Sequence, residues 1–226
     1  MKMSSHMITV SLVAASCLVP AARAQGPLTP PGAPGPTMKT LAQVEPRVAI
    51  TNVPYTITQP GSYYLTTNFA TAGSGVIIQA NRVTVELMGF PLTGDEDEIG
   101  YGVWVSGQPE APRREVVIRS GSITGFSSDI YFEYVQNGRV EDLAISENVN
   151  QGVLLYGAYG GPCSGNSVVG CAMSGNGYYG VYLDGSQSGG RCEANTIVYG
   201  PIMTASGVLS TTNGAAGLSP WANFSR

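Results

Sequence analysis

The sequence predicts an all-β chain wound as a right-handed parallel β-helix of about five to six coils behind a short N-terminal cap. Three observations carry this. A small or polar residue followed by an apolar triplet recurs as Gly75-Val-Ile-Ile78, Gly102-Val-Trp-Val105, Asp129-Ile-Tyr-Phe132, Gly152-Val-Leu-Leu155 and Gly180-Val-Tyr-Leu183, with a weaker copy from Gly207. The spacings are 27, 27, 23, 28 and 27 residues, and each interval holds a second apolar strand. These strands lie around Val83–Leu87, Val116–Ile118, Val140–Ile145, Val168–Met173 and Thr196–Tyr199. Finally, Leu is sparse and no interval carries a helical period, which disfavours a leucine-rich repeat. A β-propeller blade would want four strands in about 40 residues, more than these intervals supply.

Units of this length cannot bury their apolar faces singly, so they stack. Strand alternation turns Val76, Val103, Ile130, Val153 and Val181 inward, with Ile78, Val105, Phe132, Leu155 and Leu183 beside them as a second apolar column. Gly125, Gly138, Gly165 and Gly175 fall between strands, where a turn needs positive φ or a close backbone. Asn166 and Asn195 precede their strands by the same offset and are placed to form an amide ladder. The hand follows from the general preference of parallel crossovers.

The N-terminus reads as an export signal over residues 1–24. Lys2 supplies the positive region, Met7 to Val19 the apolar run, and Ala22-Arg23-Ala24 the small–x–small cleavage pattern before Gln25. About 13 apolar residues are too few to span a bilayer core as a helix, so membrane insertion is not expected. Residues 25–40 form a Pro/Gly-rich linker: Gln25–Pro36 holds five prolines and three glycines without the collagen period. Residues 41–74 form a cap with the first strands, including Tyr55–Thr58 and Tyr63–Thr66 around Pro60-Gly61-Ser62, and Thr40–Glu45 has room for one helical turn. Residues 75–226 hold the β-helix repeats and a C-terminal cap. The protein is expected to be secreted, or retained in the periplasm or cell envelope.

Cleavage removes the sole histidine, His6, and leaves one lysine, Lys39, which excludes Ser–His–Asp and Cys–His catalysis and His-ligated metals. Without Lys2 and Arg23 the chain has 9 basic and 15 acidic residues, a net charge of −6, so nucleic acid is not an expected partner. Of the remaining cysteines, Cys163 and Cys192 each stand three residues before Asn166 and Asn195, one position in adjacent coils. Stacked backbones about 4.8 Å apart lie within disulfide reach, so a Cys163–Cys192 disulfide is expected, with Cys171 a buried thiol.

The stretch PGAPGPTMKTLAQVEPRVAI (31–50), followed by ITQPGSYYLTTNF (57–69) and the terminal SPWANFSR (219–226), resembles exported bacterial right-handed β-helix repeat proteins of pectate-lyase-like architecture. The resemblance implies the fold and export, and assigns no catalytic residue. The polysaccharide lyases and hydrolases of this architecture are usually longer, with more coils.

Candidate sites lie on the outward positions of the triplet strands. Trp104, Tyr131 and Tyr182 form an exposed aromatic row suited to the apolar face of a sugar ring. Glu133 and Asp184 lie two coils apart on the same face, about 9–10 Å by backbone spacing. That is close to the carboxyl separation of inverting glycosidases, roughly 6.5–9.5 Å. Arg119 is a conceivable lyase base, although a cross-coil ion pair with Glu141 is the simpler account. Asp95-Glu96-Asp97-Glu98 is the one place where Ca²⁺ is conceivable; no other cofactor is expected. Two functional classes follow: a non-catalytic exported scaffold that binds a polysaccharide or a cell-surface partner, and a small polysaccharide lyase or glycoside hydrolase using Glu133, Asp184 or an arginine. The export signal is checked by sequencing the N-terminus of the secreted protein, which should start at Gln25; a secreted form that begins at Met1 would refute it.

Overall fold

The structure is a computed structural model that describes residues 46–96, 99–185, 189–203, 208–212 and 223–225. All of these belong to the unit Leu41–Arg226. The signal, the linker and the turn over Thr40–Glu45 lie outside the described residues. Every strand pair between named strands is parallel, as short β-branched strands separated by turns of 20–30 residues of chain require.

Each coil contributes to three sheets. The first contains Val83–Glu86, Val116–Thr124, Arg139–Ser146, Ser167–Ser174 and Asn195–Met203. The second has seven strands: Tyr55–Ile57, Val76–Ile78, Tyr101–Ser106, Ser128–Glu133, Val153–Tyr156, Val181–Gly185 and Val208–Thr212. A short third sheet joins Arg113–Arg114, Val135–Gln136, Pro162–Ser164 and Arg191–Glu193. The winding starts earlier than the apolar triplets show, because Val48–Ile50 pairs with Gly61–Leu65 and Tyr55–Ile57 with Val76–Ile78. Among the described residues no helix is long and apolar enough to cross a membrane.

The two inward columns stack as the alternation predicts, in the register Val76–Val103–Ile130–Val153–Val181 and Ile78–Val105–Phe132–Leu155–Leu183. None of these ten residues is more than 1 % exposed. Each such side chain, taken from water to full burial, contributes roughly 1.5–3 kcal/mol.

The bends repeat as faithfully as the strands. Between the third and first sheets one residue per coil takes left-handed φ: Arg82, Glu115, Asn137, Gly165 and Ala194, each near +55° to +68°. The N–H of Asn137 then bonds the Ser164 carbonyl, and that of Gly165 the Glu193 carbonyl. Gly125, Gly165 and Gly175 have positive φ as expected, whereas Gly138 is required by close approach: a Cβ there would lie 2.6 Å from the Phe132 ring.

The predicted amide ladder is present. Asn195 Oδ1 accepts from the Asn166 N–H at 2.9 Å, and Asn166 Oδ1 accepts from the Gly138 N–H at 2.7 Å. A second ladder sits at the other bend, where Asn148 Nδ2 donates to Asn176 Oδ1 at 2.7 Å and Asn148 Oδ1 accepts from the Phe126 N–H at 3.1 Å.

The disulfide expectation is corrected. Cys163 and Cys192 are stacked in register as predicted, but no disulfide joins them: both are buried thiols, as is Cys171. In-register parallel neighbours carry parallel Cβ vectors with the coil spacing of about 4.8 Å between them. A disulfide wants its Cβ atoms near 3.8 Å and turned towards each other. The thiols instead donate to the carbonyls of Phe132 and Leu155. The hydrogen bond with Cys163, helped by burial, holds the Cys192 thiol protonated well above the ordinary range.

One coil departs from the repeat. Asp129 occupies the position held by Gly102 and Gly152 in its neighbours and is fully buried. Its Oδ2 accepts from the Ser146 N–H at 3.2 Å, and the Asn148 side chain also hydrogen-bonds the carboxyl, while Oδ1 has no partner. Burial dominates and raises the carboxyl well above the ordinary carboxylate range. The folded chain therefore keeps this proton to higher pH than the unfolded chain, so its contribution to stability is full in acid and is lost as pH rises past the folded value. Asp129→Asn removes the ionisable group at constant size. Thermal unfolding should show the variant more stable than the parent at neutral pH and matched to it near about pH 3; an equal difference at both pH values would refute this.

Candidate functional site

The outward positions of the second sheet form the candidate site. Alternation fixes which residues reach it: as Val103 and Val105 turn inward, Trp104 and Ser106 turn out, and as Ile130 and Phe132 turn inward, Tyr131 and Glu133 turn out. Parallel register then sets Trp104 beside Tyr131 and Ser106 beside Glu133. The next coils bring Leu154 and Tyr182 into the aromatic row and Tyr156 and Asp184 into the row of Glu133.

The aromatic row is a joined cluster followed by a separate pair. Trp104 and Tyr131 lie 14° from parallel with centroids 6.4 Å apart, and Tyr101 approaches Tyr131 at 4.6 Å. Tyr156 meets Tyr131 edge-on at 6.1 Å and Tyr134 at 5.7 Å. Beyond Leu154, Tyr182 stacks on Tyr179 at 5.8 Å. Tyr131 is thus the hub of the cluster rather than an isolated ring. Its neighbours bury it, and that burial lifts its phenol far above the ordinary range. Tyr101 and Tyr179 escaped the sequence reading because it followed only the outward columns within and just after the triplets, where Tyr156 stands between Glu133 and Asp184. Tyr101 and Tyr179 stand two residues before the inward Val103 and Val181, where simple alternation would turn them inward, and their ring contacts with Trp104, Tyr131 and Tyr182 put them on the outer face instead.

Glu133 lies at the edge of this cluster, where its Oε2 accepts from Trp104 Nε1 at 3.0 Å. Burial raises its carboxyl above the ordinary carboxylate range, and the indole hydrogen bond pulls partly in the other direction. Asp184 is two register steps away, with Tyr156 between them. This spacing leaves the two carboxylates on one face, about 9–10 Å apart by coil spacing, with a tyrosine in the intervening position.

Arg119 is elsewhere. It lies on the first sheet, where Nη2 meets Glu86 Oε2 at 3.3 Å, so it does not join Glu133 and Asp184. Its expected ion pair with Glu141 is corrected too: the residues are register neighbours, but Glu141 pairs with Arg139.

Of the acidic run, Asp97 and Glu98 lie outside the described residues. Glu96 joins Glu147, Asn148, Val149 and Gly175 around an open cleft of about 480 Å³ at the bend between the first and second sheets, which none of Trp104, Tyr131, Glu133, Tyr182 and Asp184 lines. Among the described residues no three His, Cys, Asp or Glu side chains converge as a metal site would require.

A family model described as right-handed beta helix region matches residues 69–218. No curated protein matches the chain, and no solved structure does. The Trp104–Glu133 bond has a direct consequence. Trp104→Phe keeps a ring and deletes the donor, so the Glu133 carboxyl should titrate at higher pH than in the parent, as read by carboxyl-carbon NMR; an unchanged or lower titration would show that the indole does not hold it.

Proposed function

This chain belongs to the right-handed β-helix family, and we propose that it is an exported scaffold that binds a polysaccharide on the aromatic face of its second sheet. The observation that carries this reading is the Trp104–Tyr131 pair with the Glu133 carboxyl at its edge. Aromatic faces take up the apolar side of a pyranose, and a neighbouring carboxylate accepts from its hydroxyls. The rings sit on strands whose inward residues are fully buried, so little side-chain freedom is left to lose on binding. From Trp104 to Tyr182 is three register steps, about 14 Å at the usual strand spacing, which suits an oligomer laid along the coil axis better than a single sugar. Export, expected from the N-terminal sequence, would put the face among extracellular glycans.

A small polysaccharide lyase or glycoside hydrolase is the second reading, and the raised Glu133 carboxyl two coils from Asp184 is what favours it. It is the weaker one. Tyr156 occupies the position between the two acids, where a scissile bond and its water would have to enter, and Arg119 belongs to another sheet. Glycan-array and affinity-electrophoresis measurements on Trp104→Ala and Tyr182→Ala should each show binding at least about tenfold weaker, or about 1.4 kcal/mol, with unchanged circular dichroism. Unaltered binding in both variants would overturn the proposal. Release of reducing ends, or of unsaturated uronates absorbing at about 235 nm, would replace it by the enzymatic reading.

A further inference from the structure

We propose that the glycan this face selects is a neutral polysaccharide rather than a polymer of uronic acids, and that Glu133 makes the choice; this rests on the glycan-binding reading above. Uronate recognition needs a cation where the sugar carboxylates come down. No Lys or Arg stands on any of the seven strands of the second sheet, and the outward charges those strands carry, Glu133 and Asp184, are both negative. Cations stand on the adjoining third sheet instead. Arg113 turns its Nε to the Ser106 carbonyl at 2.8 Å, which holds the guanidinium along the rim, and Arg114 and Arg191 are exposed side chains of that sheet.

Glu133 is also where a negative ligand is least welcome. One carboxyl oxygen takes the indole N–H of Trp104, which ties the charge to the edge of the ring that a sugar would cover. The site is half-buried among Trp104, Tyr131, Tyr134 and Tyr156, so water screens a second carboxylate poorly there. A neutral sugar meets the opposite situation. Its hydroxyls donate to the remaining oxygen, and its C–H face rests on the rings. The same residues therefore attract a neutral chain and repel a polyanionic one, which is how a site gains specificity through an unfavourable contact with the wrong ligand.

The test compares one polymer in two charge states: polygalacturonate and its carboxyl-reduced form, offered to the full mature chain at neutral pH and low salt with a chelator present, alongside an array of neutral and acidic glycans. The expected result is at least tenfold tighter binding of the reduced, neutral form, with the ratio shrinking in Glu133→Gln. In the parent protein, added salt should independently shrink the same ratio by strengthening the acidic form only. Equal or tighter binding of polygalacturonate overturns this inference and leaves the glycan-binding reading standing. A ratio that neither Glu133→Gln nor salt alters overturns the role of Glu133. Binding to nothing on the array overturns the glycan-binding reading itself, and the inference with it.

Discussion

Successive coils of this protein share their backbone hydrogen bonds in parallel register, broken only by shifts around Cys171 in the first sheet among the described strands, and that ladder constrains everything built on it. Each coil satisfies most of its strand N–H and C=O groups by lying on its neighbours, with only a few turn bonds, such as Phe90 N–H to the Leu87 carbonyl, closing within a coil. A slip of one residue would turn Val103 and Ile130 to solvent and Trp104 and Tyr131 into the core, so register is fixed by the whole apolar column at once. The bends obey the same rule. At the bend before the first sheet one left-handed residue per coil, from Arg82 to Ala194, keeps each chain reversal on top of the last, and the buried Asn166–Asn195 and Asn148–Asn176 amides bond the backbone that the bends leave unpaired.

Strict stacking also explains what the structure does not do. It brings Cys163 and Cys192 to the same level, yet parallel side chains on stacked strands run side by side rather than towards each other, and the thiols find backbone carbonyls instead. Arg119 and Glu141 show the same behaviour at the surface: register makes them neighbours, while rotamers give each a different partner. Adjacency along a column is a backbone property, and pairing is a side-chain one.

On the outer face of the second sheet the ladder has a chemical result. It aligns Tyr101, Trp104, Tyr131 and Tyr156 closely enough for their rings to bury one another, and the lowered polarity around them lifts the Glu133 carboxyl. Asp129 shows the same physics inside the coil, where a carboxyl with one unpartnered oxygen occupies a position that its neighbours fill with glycine. Both acids are set by desolvation, one on a face open to ligands and one sealed in the core.

The repeat of Gly-Val-x-Val triplets was enough, by itself, to determine the fold, the two inward columns and the Asn166–Asn195 ladder, because stacking is periodic and periodicity is written in residue spacing. It also placed Trp104, Tyr131, Glu133 and Tyr182 on one face. The Asn148–Asn176 ladder was equally legible, since these residues stand 28 apart like the triplets beside them. Only the tertiary structure decided which neighbours on that face touch: that the indole holds Glu133, that Tyr131 is half-buried by its neighbours, that Tyr156 separates the two acids, and that Cys163 and Cys192 remain thiols. Spacing specifies level and side, but contact depends on rotamers and on the crowding of each ring by residues from other coils, which no single repeat contains.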